Sequence, residues 1–181
     1  MPQDMTDVDG RNEDGTSAPP TRNIQKVLEN AASQSIPVTL TEAEVNQWLA
    51  DQVKGSQEGK LASSIKYRGI WVRFKEDSID LIFEREAFNR THTIAMEMKI
   101  QQTISGNNRM QTGITRPGGR LGQMPVPQGY LLLVMSSFEE FAEVMAPEIK
   151  SLEKLLEGSV VTFEGDRVTF KPRNTEVNLG I

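Results

Sequence analysis

The sequence predicts an α+β fold. In it a curved, mostly antiparallel sheet of four to six strands packs on a long C-terminal helix, preceded by a shorter capped helix. Three observations predict this. Apolar and polar residues alternate over most of 65–116, the two-residue period of strands with one buried face. From Gln128 to Glu157 apolar residues recur every three or four positions, as on one side of a helix. Thr41 and Glu44 form a Thr-x-x-Glu capping box ahead of Val45, Trp48, Leu49 and Val53.

Residues 1–22 are rich in Gly, Pro, Ser and Asp and carry few large apolar groups. Such a stretch buries too little surface to offset its ordering entropy, so it reads as a disordered acidic tail or linker ending at Pro19-Pro20. The body, 23–175, reads as a single α+β domain, with 176–181 a flexible C-terminus. A short helix over about Thr21 to Ala32 places Ile24, Val27, Leu28 and Ala31 on one face. Ile36 to Leu40 is extended, and the capped helix follows from Thr41 to its close at Gly55.

Ile70, Val72 and Phe74 then alternate with Trp71, Arg73 and Lys75. Glu76-Asp77-Ser78 makes a turn, and Ile79, Leu81 and Phe83 return. Ile65 and Tyr67 have the opposite parity, and a bulge at Gly69 restores all five apolar groups to one face. A third strand turns Ile94, Met96, Met98 and Ile100 inward, and a fourth, over about Asn108 to Arg116, aligns Met110, Thr112 and Ile114. Pro117-Gly118-Gly119 reads as a turn, and Pro147 is expected to kink or divide the long helix. Gly165-Asp166 marks a closing hairpin between Val160–Phe163 and Arg167–Phe170.

Charge excludes one class of partner. The net charge is -5, but the first twenty residues hold Asp4, Asp7, Asp9, Glu13 and Asp14 against Arg11 alone. The body is therefore nearly neutral, and nucleic-acid binding, which needs a cationic surface to release phosphate counterions, is not expected. The absence of cysteine removes disulfides, thiolate catalysis and Cys-bound metals. No apolar run reaches the roughly 18 residues of a membrane span, and no signal peptide opens the chain. The chain reads as cytoplasmic, or as one cut just behind a signal or anchor helix.

No catalytic or metal centre is expected, and no cofactor. His92 is the one histidine and stands at a strand start on the apolar parity. The carboxylates are scattered over solvent faces, and Gly118-Gly119 with Gly122 lack the Lys and Ser/Thr of a phosphate loop. Two features suit binding instead. Lys66, Arg68, Trp71, Arg73 and Lys75 form a basic stripe fit for an anionic head group or membrane surface. The hairpin partner, however, presents Asp80, Glu84 and Glu86 on the same face, where they would neutralise it. Met96, Met98, Met110, Met124, Met135 and Met145, with Phe138, lie on inward strand faces or the long helix, where adaptable thioethers could line an apolar cavity or simply make a soft core.

Val38-Thr39-Leu40-Thr41-Glu42-Ala43-Glu44-Val45-Asn46, the Gly122–Pro127 segment with the helix behind it, and the Val160–Phe170 hairpin together resemble the YpmS-like proteins. These are extracytoplasmic proteins without a firm activity, usually tethered by an N-terminal membrane helix that this chain does not show. The resemblance extends to the tubular lipid-binding, TULIP-like architecture, in which a curved sheet wraps a long helix around acyl chains. It implies a non-enzymatic protein on the extracytoplasmic side of the cell envelope that holds a lipid or other apolar ligand. The alternative is a structural or protein-interaction module with a filled core and no small-molecule ligand.

Overall fold

The computed structural model describes residues 1–12, 16–17, 22–56, 66–87, 89–105, 110–131, 138–139, 141–143 and 145–173. The chain is α+β, and its strands form two antiparallel sheets. Helix α1 (Ile24–Gln34) begins at Asn23, whose side chain accepts the Lys26 N–H at 2.9 Å, and buries Ile24, Leu28 and Ala31. Strand β1 (Val38–Thr41) leads into α2 (Glu42–Ser56). The capping box forms in full: the Thr41 N–H reaches Glu44 Oε2 at 3.0 Å and the Glu44 N–H reaches Thr41 Oγ1 at 3.2 Å.

Strands β2 (Lys66–Phe74), β3 (Ser78–Ala87), β4 (Arg90–Ile104), β5 (Met110–Leu121) and β6 (Met124–Pro127) follow one another in a five-stranded meander. The register shifts between Tyr67 and Gly69, so the expected bulge is there. Gly69 is required at this point, because a Cβ would stand 2.7 Å from the Trp71 indole nitrogen. Strands β7 (Ser159–Glu164) and β8 (Arg167–Pro172) form the closing hairpin, with Gly165 at φ +60°. They pair with β1 in the order β1-β8-β7 as a separate three-stranded sheet.

Four expectations change. The single sheet becomes two, because β1 pairs with β8 (Val38 opposite Phe170, Leu40 opposite Val168) and not with the meander. Pro117-Gly118-Gly119 is not a turn. Strand β5 runs through it, with Arg116 and Pro117 opposing Met98 as a bulge, where the missing proline N–H breaks no ladder. The reversal comes instead at Gly122, φ +60°. The helix expected from 128 opens instead as a 3-10 turn at Gln128–Tyr130. It is divided at Pro147 as expected, with helix α3 spanning Ala146–Gly158, and 132–137, 140 and 144 of the expected span lie outside the described residues. Pro147 lies in the first turn of α3, the position where its missing N–H has no intrahelical acceptor to lose. Residues 138–139 and 141–143 are helical ahead of it.

The fourth change concerns the N-terminus. Residues 1–12, expected as part of a flexible tail, lie across the outer face of the meander. Met5 and Val8 are buried there against Trp71, Ile82 and Ala95. These two anchors suffice because the outward face of β2–β4 is itself apolar at its centre and must be covered. Residues 13–15 and 18–21 of that expected tail, and the C-terminus 176–181, lie outside the described residues.

The main core lies on the meander's inner face, beneath α1, α3 and the small sheet. One apolar cluster runs from Ile24 in α1 to Phe170 in β8, with Ile70, Phe83, Ile94, Met96 and Leu155 among its members. Phe83 meets Phe138 and Phe141 edge-to-face at centroid distances of 4.7 and 5.5 Å. Replacing Phe138 by alanine is expected to cost about 3–5 kcal/mol of unfolding free energy, measured by urea denaturation. A variant that unfolds at the parent's midpoint would contradict this packing.

Candidate functional site

A cleft of about 500 Å³, open to solvent, lies where the N-terminal strap, the start of α2, β2–β3 and the β7–β8 turn meet. Asp7, Asp9, Glu42, Asp80 and Asp166 line it beside Arg73, Lys75 and Arg120. Helix α2 organises it. Glu42 and Asn46 sit one helical turn apart, a separation close to the two-residue repeat of the strand they face. Asn46 accepts the Val72 N–H at 2.6 Å and donates to the Val72 carbonyl at 2.9 Å. Its second amide hydrogen reaches the Asp9 carbonyl at 2.8 Å. Glu42 accepts the Phe74 N–H at 2.6 Å and the Asp9 N–H at 2.9 Å. The two side chains thus pair with the free edge of β2 on one side and with the strap on the other.

The strap's remaining bonds are polar. Arg73 donates to the Asp4 carbonyl at 2.8 Å and to Asp7 at 2.6 Å. Arg11 places one nitrogen 3.1 and 3.2 Å from the two Glu84 oxygens, and its guanidinium carbon lies 5.6 Å from the centre of the Trp71 ring. Gln3 N–H donates to Thr93 Oγ1 at 2.8 Å.

The basic stripe is therefore not a free cationic surface. Trp71 is 1 % exposed beneath the strap, which corrects its reading as an interfacial tryptophan. Arg73 is engaged by the strap, and Lys75 pairs with Asp80 at 2.8 Å. Arg68 lies 3.8 Å from Glu86 and donates to Thr91 at 2.9 Å. Lys66 stands opposite Glu86 in the ladder. The strand acids neutralise the stripe as cross-strand pairing required, and the strap adds its own.

The described methionines are spread over the fold. Met96, Met145 and Phe138 are buried in the main core, and Met98 packs partly buried against it. Met110 is half-buried at the far end of the β4–β5 hairpin, opposite Ile104. Met124 is 58 % exposed, because it follows the tight Gly122 turn on a four-residue edge strand, and so departs from its reading as a lining residue. Met135 lies outside the described residues. A second groove, about 930 Å³ and open, runs beside that hairpin end. It is bordered chiefly by polar residues such as Gln101, Thr103, Gln111 and Glu157.

His92 faces Arg85 across the β3–β4 ladder and does not line the cleft. Among the described residues no three His, Asp or Glu side chains converge as metal ligands, and no helix is long and apolar enough to cross a membrane. Comparison with family models, curated proteins and solved structures finds no match.

Sequence reasoning missed Glu42 and Asn46. The signal was present for Asn46, a polar residue in the same helical stripe as Leu49, three residues on. Glu42 is buried, and loss of hydration raises its carboxyl above the ordinary value near 4.5, only partly opposed by the Phe74 and Asp9 N–H groups; the Asp9 charge raises it further and Arg73 lowers it.

Asn46→Ala leaves two backbone carbonyls and one N–H without their partners, and is expected to cost roughly 3 kcal/mol in urea unfolding. An unchanged midpoint would contradict the bonding described. Because the folded chain holds the Glu42 proton more tightly than the unfolded chain, the Glu42 contribution to stability falls as pH rises from the ordinary glutamate range through the raised value. Glu42→Gln removes that term. Its stability relative to the parent should therefore improve as pH rises above about 4, and parallel pH profiles would contradict the shift.

Proposed function

We propose that this chain is a non-enzymatic protein-interaction module with a filled core, and not a carrier of an apolar ligand. The observation that carries the reading is the placement of Met96, Met145 and Phe138. These residues would have to line a ligand cavity between sheet and helix, and they are packed into the main core instead. Both grooves are open, and apart from Met110 in the second their borders are made chiefly by charged or polar residues, unlike the concave, mostly apolar sites that take lipids.

The cleft's chemistry supports the same reading. Both Glu42 oxygens accept backbone N–H groups, and Asp80 is engaged by Lys75, with Arg73 3.9 Å away. Carboxylates committed to structural bonds make poor acid–base catalysts. Strand addition is also disfavoured as a binding mode, because the strand edges have their own partners. Asn46 and Glu42 close β2, and Arg22 reaches the Thr39 carbonyl of β1. Gln102 accepts the Val161 N–H of β7 at 2.9 Å and donates to the Ser159 carbonyl at 2.8 Å. Strand β6 carries Pro125 and Pro127.

A partner is therefore read through side chains, over the charged cleft and the apolar groups that β4 and β5 leave uncovered, Ile104 at 66 % and Ile114 at 48 % exposed. An extracytoplasmic envelope location rests on the family resemblance alone and forms no part of this proposal.

Native mass spectrometry of gently purified protein, followed by organic extraction, tests the reading. The expected result is the mass of the bare chain, with no uptake of added fatty acid or phospholipid. A stoichiometric lipid, lost when Met96 or Met98 is enlarged to Trp, would establish the apolar-ligand reading instead.

A further inference from the structure

The strap is attached differently from every strand beneath it. Its backbone–backbone bonds are local: Val8 N–H to the Met5 carbonyl, Arg11 N–H to the Val8 carbonyl and Asn12 N–H to the Thr16 carbonyl. No ladder joins it to the meander among the described residues. It is fixed by two apolar anchors, by Arg73 and Arg11, by Gln3 to Thr93, and by the Asp9 backbone on Glu42 and Asn46.

The fit leaves donors without acceptors. The indole N–H of Trp71, itself 1 % exposed, has no hydrogen-bond partner among the described residues. The Nε atoms of Arg73 and Arg11 and the Gln3 side-chain amide nitrogen are likewise buried and without a partner among those residues. Each such group forfeits its hydration without compensation. A segment that brought a carboxylate or carbonyl to Trp71 and Arg73 would therefore fit this face better than the strap does.

The strap also displays the chemistry that the face accepts. Asp4-Met5-Thr6-Asp7-Val8-Asp9 intersperses acids with apolar residues. The apolar residues meet Trp71, Ile82 and Ala95, while Asp7 meets Arg73. Arg120 opens the adjoining cleft as a further cation, exposed and with no ion pair among the described residues.

Resting on the interaction-module reading, we infer that the outer face of the meander is a docking surface for an extended acidic–apolar segment of a partner protein, and that residues 1–12 occupy it in cis until such a segment displaces them. The tethered strap acts at high effective concentration, so the intact chain binds a trans segment weakly, in proportion to the small fraction of molecules whose strap is open.

The probe is a fluorescent synthetic peptide of residues 1–12, titrated by anisotropy against the full chain and its Val8→Asp variant. Val8→Asp, which loosens the strap, is expected to bind the peptide at least about tenfold more tightly than the parent. Adding Arg73→Gln to that variant should weaken binding by about tenfold. No binding to a Val8→Asp protein with the parent's circular dichroism would overturn the inference.

Hydrogen exchange on the unaltered chain gives an answer even if that variant fails to fold. The Gln3 and Asp9 amides are expected to exchange by local opening, at least about tenfold faster than those of Ile82 and Phe83. Strap amides that exchange only with global unfolding would overturn it. A parent that sediments as a dimer, dissolved by Val8→Asp, would replace the foreign partner with a second copy of this chain. A lipid-free native mass alongside failed peptide binding removes only this inference and leaves the interaction-module reading standing.

Discussion

The arrangement depends on one pair of side chains. Glu42 and Asn46, successive on one face of α2, meet the unpaired edge of β2 and the strap's Asp9 together. Without them, Val72 and Phe74 would present an open strand edge, the template for unwanted pairing that folded proteins cover or blunt. With them, the meander ends against a helix, and the N-terminal segment has a fixed point at which to stop. The pair is costly to place, since a buried carboxylate loses its hydration, and two backbone N–H groups are what make the site tolerable for Glu42.

The same device recurs across the molecule. Gln102, inside β4, binds the backbone of β7 as Asn46 binds that of β2. Thr112 on the neighbouring strand donates to the Leu156 carbonyl at 3.1 Å, close to the end of α3. A side-chain amide offers one donor–acceptor pair in the spacing of a peptide group, so it can stand in for a strand residue where no strand fits. Two sheets that share no ladder among the described residues are joined in this way.

Much of the fold was legible in the sequence. The capping box, the bulge at Gly69, the β2–β3 hairpin, the inward row Ile94–Ile100 and the Gly165-Asp166 hairpin were all visible, because each depends on neighbours a few residues away. What escaped was decided by distant partners. Pro117 looks like a turn until Met98 opposes it across a bulge. The partner of β1 lies at the other end of the chain, where no local pattern points. The strap was misjudged because composition averages over a segment, whereas Met5 and Val8 act singly on a face they fit. The site was least legible: Asn46 and Gln102 stand in apolar stripes, and only the edge each one faces explains why a polar residue belongs there.

Native-state hydrogen exchange at the Val72 and Phe74 amides, compared between the parent and Asn46→Ala, tests the central claim most directly. If α2 closes this edge, both amides in the parent exchange only with global unfolding. In the variant Val72 loses protection beyond the global change in stability, and the Asp9 amide loosens with it. If Val72 already exchanges in the parent at the rate of an open strand edge, the helix does not close the sheet and the strap has no fixed point there.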